Sequence, residues 1–203
     1  VSCRKSEKSY NSELGVPLTI IGRRNAWLNP LGWLANILAG FYLIVFKYNY
    51  PDWLILEVGA DRPGDIRKIS KWLKPDIAVL TSLPEVPVHV EFFPTKEALL
   101  SEKKHLLKAV KKHGCVVLNI DDENIKNYWQ ELKKEAEERK LEIITIGFDE
   151  EADLRATNSH ISYDPEKKIP TGITCKLDHN GNNVPVKING AVGQHQIYQA
   201  LSA

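Results

Sequence analysis

The 203 residues, 43% of them hydrophobic, are enough for one sizeable core and short of what two full domains usually need. The 27 basic and 26 acidic side chains nearly cancel, which excludes a whole-molecule field drawing the chain to nucleic acid or to an acidic surface. Cys3, Cys115 and Cys175 are odd in number and form no CxxC pair, so a disulfide framework is excluded, and Cys115, in the apolar run Cys115–Ile120, reads as a buried cytosolic thiol.

The first fifteen residues are polar and charged, without the apolar core of a signal peptide. Leu31–Phe46 carries no charge over 16 residues, yet a helix of that length spans roughly 24 Å, less than the ~30 Å hydrocarbon core of a bilayer. Its readings are a helix buried or covered by a partner, or an interfacial helix with Trp27 and Trp33 near lipid headgroups. Because Arg23, Arg24 and Lys47 flank it and Asn36 interrupts it, the expectation is packing on protein, part of it exposed as an apolar patch.

From Asp52 onward, short apolar runs alternate with amphipathic stretches, the signature of βα units around a mostly parallel sheet flanked by helices. The runs are Trp53–Glu57, Ile77–Leu80, Val116–Asn119 and Ile143–Ile146. Between them, Ile66, Ile69, Trp72 and Leu73 share one helical face, and Leu99, Leu100, Leu106, Leu107 and Val110 another. A helix rich in Glu and Lys over about Asp122 to Lys140 is expected on the surface. Beyond Asp149 the pattern turns to strands at Ile161–Tyr163, Gly172–Leu177 and Val184–Ile188; the last two flank an Asn-Gly turn and predict an antiparallel hairpin. A final helix begins near Gly193. The fold class is therefore α/β with a C-terminal antiparallel region.

In open α/β sheets ligands bind at the carboxyl ends of strands. Glu57 closes such a strand, and Gly59–Ile66 should turn tightly into a helix whose N–H groups face the same crevice. A carboxylate there suits Mg²⁺; equally, Glu57 can be a solvated strand end and Asp61 or Asp65 a helix cap. The loop after Thr81 has two closely spaced prolines, which restrict its backbone and could hold His89 over the crevice, although a lone loop histidine is more often structural. Lys103 follows in a lysine-rich helix, and spacing alone does not distinguish it from Lys104, Lys108, Lys111 or Lys112. No GxxxxGK[ST] loop is present; Gly59 to Gly64 has the glycine spacing, but Asp65 stands where lysine is required.

Asn11–Thr19, Leu56–Ile66, His89–Phe93 with Lys103 behind it, Val117–Asp122 and Gly193–Leu201 stand in the order found in Mur ligase central domains. The chain resembles that family over nearly its whole length, apart from an insertion at residues 23–50. The resemblance implies a P-loop-NTPase-like central domain, residues 1–203, truncated before its phosphate-binding loop and lacking the C-terminal domain. It implies an ATP-dependent ligase of the cytoplasm, acting in peptidoglycan synthesis, that phosphorylates the carboxylate of a UDP-N-acetylmuramoyl peptide and joins it to an amine such as an amino acid or D-alanyl-D-alanine. It implies ATP and Mg²⁺ as cofactors, with Glu57 on the Mg²⁺ that bridges the nucleotide phosphates. His89 would hold a second Mg²⁺ with Lys103, once that lysine is carbamylated. Asn11 and Glu13 would approach the muramoyl substrate.

Ser82 stands where the family has a nucleotide-contacting asparagine, and Gln196 and Gln199 replace those near the last helix. These departures raise a second reading, a non-catalytic binding or scaffold domain on the same fold. Glu57, His89 and Lys103 are expected to converge on one crevice.

Overall fold

The computed structural model of the chain describes residues 1–6, 9–46, 50–83 and 91–203. These form two compact units, Val1–Trp72 and Leu73–Ala203.

In the first unit, β1 (Cys3–Lys5) and β2 (Trp53–Ile55) pair in parallel, Cys3 opposite Trp53. The Asp52 carboxylate accepts the Ser2 N–H at 2.8 Å, and the Asp52 N–H donates to Ser2 Oγ at 3.0 Å, so the register of this two-stranded ladder is pinned at its start. α1 (Gly15–Ile21) buries Val16 and Leu18 and ends at Gly22, whose φ of 68° suits a residue without a Cβ. α3 (Asp65–Ser70) buries Ile66 and Ile69. Trp72, expected on that face, is 49% exposed, because the helix stops at Ser70 and the 3.6-residue period no longer applies.

Between α1 and β2 lies α2 (Pro30–Phe46), which packs against α1. Asn36 is its only buried residue. Its amide donates to the Arg24 carbonyl at 3.0 Å, and Trp33 Nε1 donates to the Trp27 carbonyl at 2.9 Å. The helix packs on protein with an apolar part exposed, and the interior faces its polar and small residues rather than most of its leucines. Among the described residues no helix is long and apolar enough to cross a membrane.

The second unit holds a six-stranded sheet in sequential order: β3 (Ile77–Leu80), β4 (Cys115–Asn119), β5 (Glu142–Gly147), β6 (Leu154–Tyr163), β7 (Pro170–His179) and β8 (Asn182–Asn189). β3 to β6 run parallel; β6, β7 and β8 form an antiparallel meander. The β7–β8 hairpin turns on Asn180 and Gly181, whose φ values of 50° and 79° are those of the predicted Asn-Gly turn.

α4 (Lys96–Lys108), α5 (Glu123–Arg139) and α6 (Gln194–Leu201) complete the unit. α5 packs on β4 and turns Ile125, Tyr128, Leu132 and Ala136 inward at i, i+3, i+7 and i+11 spacing, so only its outer face carries the surface Glu and Lys. α6 packs on β5, β6 and β7 through Ile197 and Leu201, which join Val117, Ile146, Ala156, Ile173 and Cys175 in one cluster. Val116 and Leu118 alternate with Val117 along β4 and are fully buried. Each such side chain contributes about 1.5–3 kcal/mol. Cys175 is the buried thiol; Cys115, at the amino end of β4, is only half-buried.

Candidate functional site

The first unit presents a cavity of about 280 Å³ lined by Asn11, Ser12, Glu13, Leu14, Gly59, Asp61 and Asp65. The segment before α1 and the loop after β2 are tied together at its floor, where the Gly59 N–H donates to the Asn11 carbonyl at 2.9 Å. A Cβ on Gly59 would come within 2.9 Å of the Asn11 amide, so a side chain here would displace that amide from its place beside Glu57. Asn11 Nδ2 reaches Glu57 Oε1 at 3.5 Å, and Glu57 is exposed just past β2. Glu13 pairs with Lys68 on α3 at 2.9 Å. Asp65 is not the helix cap, which is Gly64 at φ 96°; its carboxylate instead accepts the Arg62 N–H at 2.8 Å and closes the loop ahead of α3. Asn11, Glu13 and the loop after Glu57 therefore share one place.

The second unit gathers polar groups at the carboxyl ends of β3 and β4. Buried Asn119 donates to the Thr81 carbonyl at 2.7 Å and accepts the Asp121 N–H at 3.1 Å. The Asp122 carboxylate caps α5 by accepting the Asn124 and Ile125 N–H groups, and its other oxygen accepts the Leu83 N–H at 2.9 Å. Lys103, on α4, donates to the Ser82 carbonyl at 3.4 Å. Burial holds its pKa below the ordinary lysine value, partly offset by the Asp122 carboxylate. The other residues of α4 do not share this setting: Lys104 pairs with Glu131 at 3.0 Å and lies over the Tyr128 ring. Burial and a strand-end carboxylate thus separate Lys103 from its neighbours where spacing could not.

Asp121 organises the next strand end, accepting the Phe148 and Asp149 N–H groups and, at 2.8 Å, the Tyr198 hydroxyl of α6. Burial, then Asp121, raises the Tyr198 pKa. Gln196 lies half-buried in the first turn of α6, its N–H donating to the Gly193 carbonyl, whereas Gln199 is exposed. Asn119, Asp121, Asp122 and Tyr198 received no individual role from the sequence. The available signal was their position: three follow an apolar strand within four residues, where ligand-binding groups collect.

Glu57 belongs to the first unit and Lys103 to the second; His89 lies outside the described residues. Among the described residues no group of three or more His, Cys, Asp or Glu side chains could hold a metal ion. The donor chemistry nonetheless fits Mg²⁺ at Glu57, since this ion is commonly held by one or two carboxylates and completes its shell with water and substrate phosphates.

A family model of the Mur ligase middle domain matches residues 37–203. The chain belongs to the Mur ligase middle-domain family. Among curated relatives, the UDP-N-acetylmuramoyl-tripeptide–D-alanyl-D-alanine ligase of Buchnera aphidicola subsp. Baizongia pistaciae is 25% identical over 197 residues, covering 97% of this chain and 34% of that protein. The protein of the same name from Mycobacterium leprae is 29% identical over 115 residues, 57% of this chain and 17% of the relative. Among solved structures, MurF from Acinetobacter baumannii superposes with a TM-score of 0.68 at 17% identity, over 99% of this chain and 35% of that one. MurF ligase from Thermotoga maritima in complex with ADP gives 0.65 at 24% identity, over 98% and 37%. The chain thus spans about a third of the MurF proteins it matches along its length, and the Mur ligase resemblance and α/β fold read from the sequence hold.

Proposed function

We propose that this Mur ligase middle domain works within an ATP-dependent, ADP-forming cytoplasmic ligase that joins D-alanyl-D-alanine to a UDP-N-acetylmuramoyl peptide in peptidoglycan synthesis. The observation that carries this reading is the setting of Lys103, a lysine depressed in pKa by burial beside the Ser82 carbonyl and Asp122. A lysine that can release its proton can add carbon dioxide, and the resulting carbamate is an anionic oxygen ligand where an ammonium would repel a cation. Family membership and the names of the relatives supply the reaction class and the substrates.

In this proposal Glu57 and the Lys103 carbamate act as ligands through oxygen and His89 through its imidazole. Mg²⁺, when bound, neutralises charge that develops on the transferred phosphoryl group. Asn11 and Glu13 orient the muramoyl substrate in the cavity of the first unit, and Ser82 and Gln196 stand toward the nucleotide. Asn119 and Asp122 fix the Thr81–Leu83 backbone, and with it the carbonyl that receives Lys103.

The test is ADP release by the intact parent protein supplied with Mg-ATP, UDP-N-acetylmuramoyl tripeptide and D-alanyl-D-alanine, with the pentapeptide product weighed by mass spectrometry. Release requiring both acceptor substrates, and lost in Glu57→Gln and Lys103→Met, is expected. A parent protein that binds the muramoyl peptide but makes no ADP would instead establish a non-catalytic domain.

A further inference from the structure

The exposed side of α2 carries a heptad seam. Leu31, Leu34, Leu38, Phe41 and Val45 follow one another at intervals of three, four, three and four residues, the a and d spacing of a helix that packs along another helix. All five are more than half exposed. At about 100° per residue their common direction lies roughly 180° from that of Gly32, Trp33, Asn36, Ala39, Gly40 and Leu43, the residues of the helix that are buried or half-buried. Those six occupy positions b, c and f, which face water in a free-standing pair of coiled helices. Here they meet the protein itself: Asn36 donates to the Arg24 carbonyl, Trp33 to the Trp27 carbonyl, and Gly40 faces Ile21 of α1. The body of the unit thus holds the back of the helix and presents its seam outward.

The composition of the seam selects a second copy of the same helix. Charges at e and g set which helices pair, and like charges there repel an identical partner. In α2 those positions are Ala35, Ile37, Tyr42 and Ile44, and residues 25–46 hold no charged side chain. Nothing on the face opposes its own copy, and a face depleted of charge and rich in aliphatic and aromatic groups has the character of a homodimer interface. The area agrees. Nine large hydrophobic side chains of α2 are more than half exposed, and at roughly 100 Å² left in water by each they supply the ~800 Å² per partner of a standard interface. A bilayer suits the helix less well, because a helix lying in a lipid surface turns a Lys- and Arg-rich side to water. α2 has neither such residues nor a water-facing back.

We propose that α2 is a dimerisation helix: two copies of the chain pack their α2 helices together along the Leu31, Leu34, Leu38, Phe41 and Val45 seam about a twofold axis, with Leu38 at the middle of the contact. The proposal is independent of the ligase reading.

The experiment is sedimentation velocity of the intact parent protein over a range of concentrations, with hydrogen exchange read along α2. A concentration-dependent dimer is expected, in which exchange of α2 slows as the dimer fills. Leu38→Asp puts a carboxylate in the middle of the seam; a central interface residue is worth about thirtyfold in affinity and the twofold axis counts it twice, so the dissociation constant should rise by about a thousandfold. Leu38→Met, close in volume and equally apolar, should keep the dimer. Because Leu38 points outward, far-UV circular dichroism should be the same for all three proteins. A parent protein that stays monomeric up to its solubility limit overturns the proposal, and protection of α2 in that monomer would assign the face to another part of the same chain. A dimer that Leu38→Asp leaves intact also overturns it. So does a monomer that binds phosphatidylcholine vesicles and loses that binding in Leu38→Asp, which would give the face to lipid.

Discussion

Replacing Asp122 tests whether the strand-end carboxylates hold the site together. One Asp122 oxygen accepts the first free N–H groups of α5, the other the N–H of Leu83, a residue 5% exposed. Asp122→Ala removes the cap, about 1 kcal/mol, and leaves a buried donor unsatisfied, about 1–3 kcal/mol. The sum is a loss of about 2–4 kcal/mol, which at a urea slope of roughly 2 kcal/mol per molar lowers the unfolding midpoint by about 1–2 M. Asp122→Asn keeps one carbonyl oxygen and can satisfy one partner, so it should fall between the two. The same change acts on Lys103, because Asp122 partly offsets the effect of burial on that lysine. Its pKa should therefore drop further in the alanine variant, measurable from the Lys103 side-chain carbon shift across a pH titration. Urea unfolding by circular dichroism within 0.5 kcal/mol of the unmodified protein, with an unmoved Lys103 titration, would refute this account of the loop.

The isolated chain, which contains no GxxxxGK[ST] loop, should neither hydrolyse ATP nor bind Mg-ATP at micromolar concentrations in a calorimeter; micromolar affinity would reveal another phosphate site. Leu118→Ala, at a fully buried position of β4, should cost about 2–5 kcal/mol in denaturant unfolding. Tyr128 has its pKa pushed up to about 12, first by burial, so its contribution to stability should be present below about pH 10 and lost as pH rises through the folded value; phenolate absorbance should show it ionising later than a free tyrosine. Lys103 has the opposite sign. The unfolded chain keeps its proton to higher pH, so stability should rise from the folded pKa toward the usual lysine range near pH 10.4, and Lys103→Met should remove that rise in pH-dependent unfolding.

The second unit was legible because its signals are local. β3 and β4 are short apolar runs whose pairing needs no information beyond alternation and length, and the Asn180-Gly181 turn imposes its own backbone. β6 was read only at its tip, Ile161–Tyr163, although the strand begins at Leu154. Its first half contains Arg155, Thr157 and Asn158, and a register shift between Thr157 and His160 breaks the period that a sequence scan relies on.

The least legible feature is environment, which depends on what surrounds a side chain rather than on the side chain itself. Four lysines near Lys103 have the same formal chemistry, yet only long-range placement against Ser82 and Asp122, 21 and 19 positions away in sequence, changes how readily this one holds its proton. The same reason explains why the sequence did not show which side of α2 would be the exposed one. A run of leucine, isoleucine and phenylalanine implies burial only if the rest of the chain offers an apolar surface to receive it. Here the receiving surface is the Arg24 carbonyl and the short flank of α1, which suit Asn36 and Gly40 better than a row of leucines. The polar contacts therefore set the rotation of the helix, and its apolar residues were turned outward as a consequence. Hydropathy identified the segment, but the hydrogen bonds of Asn36 and Trp33 determine which way it faces.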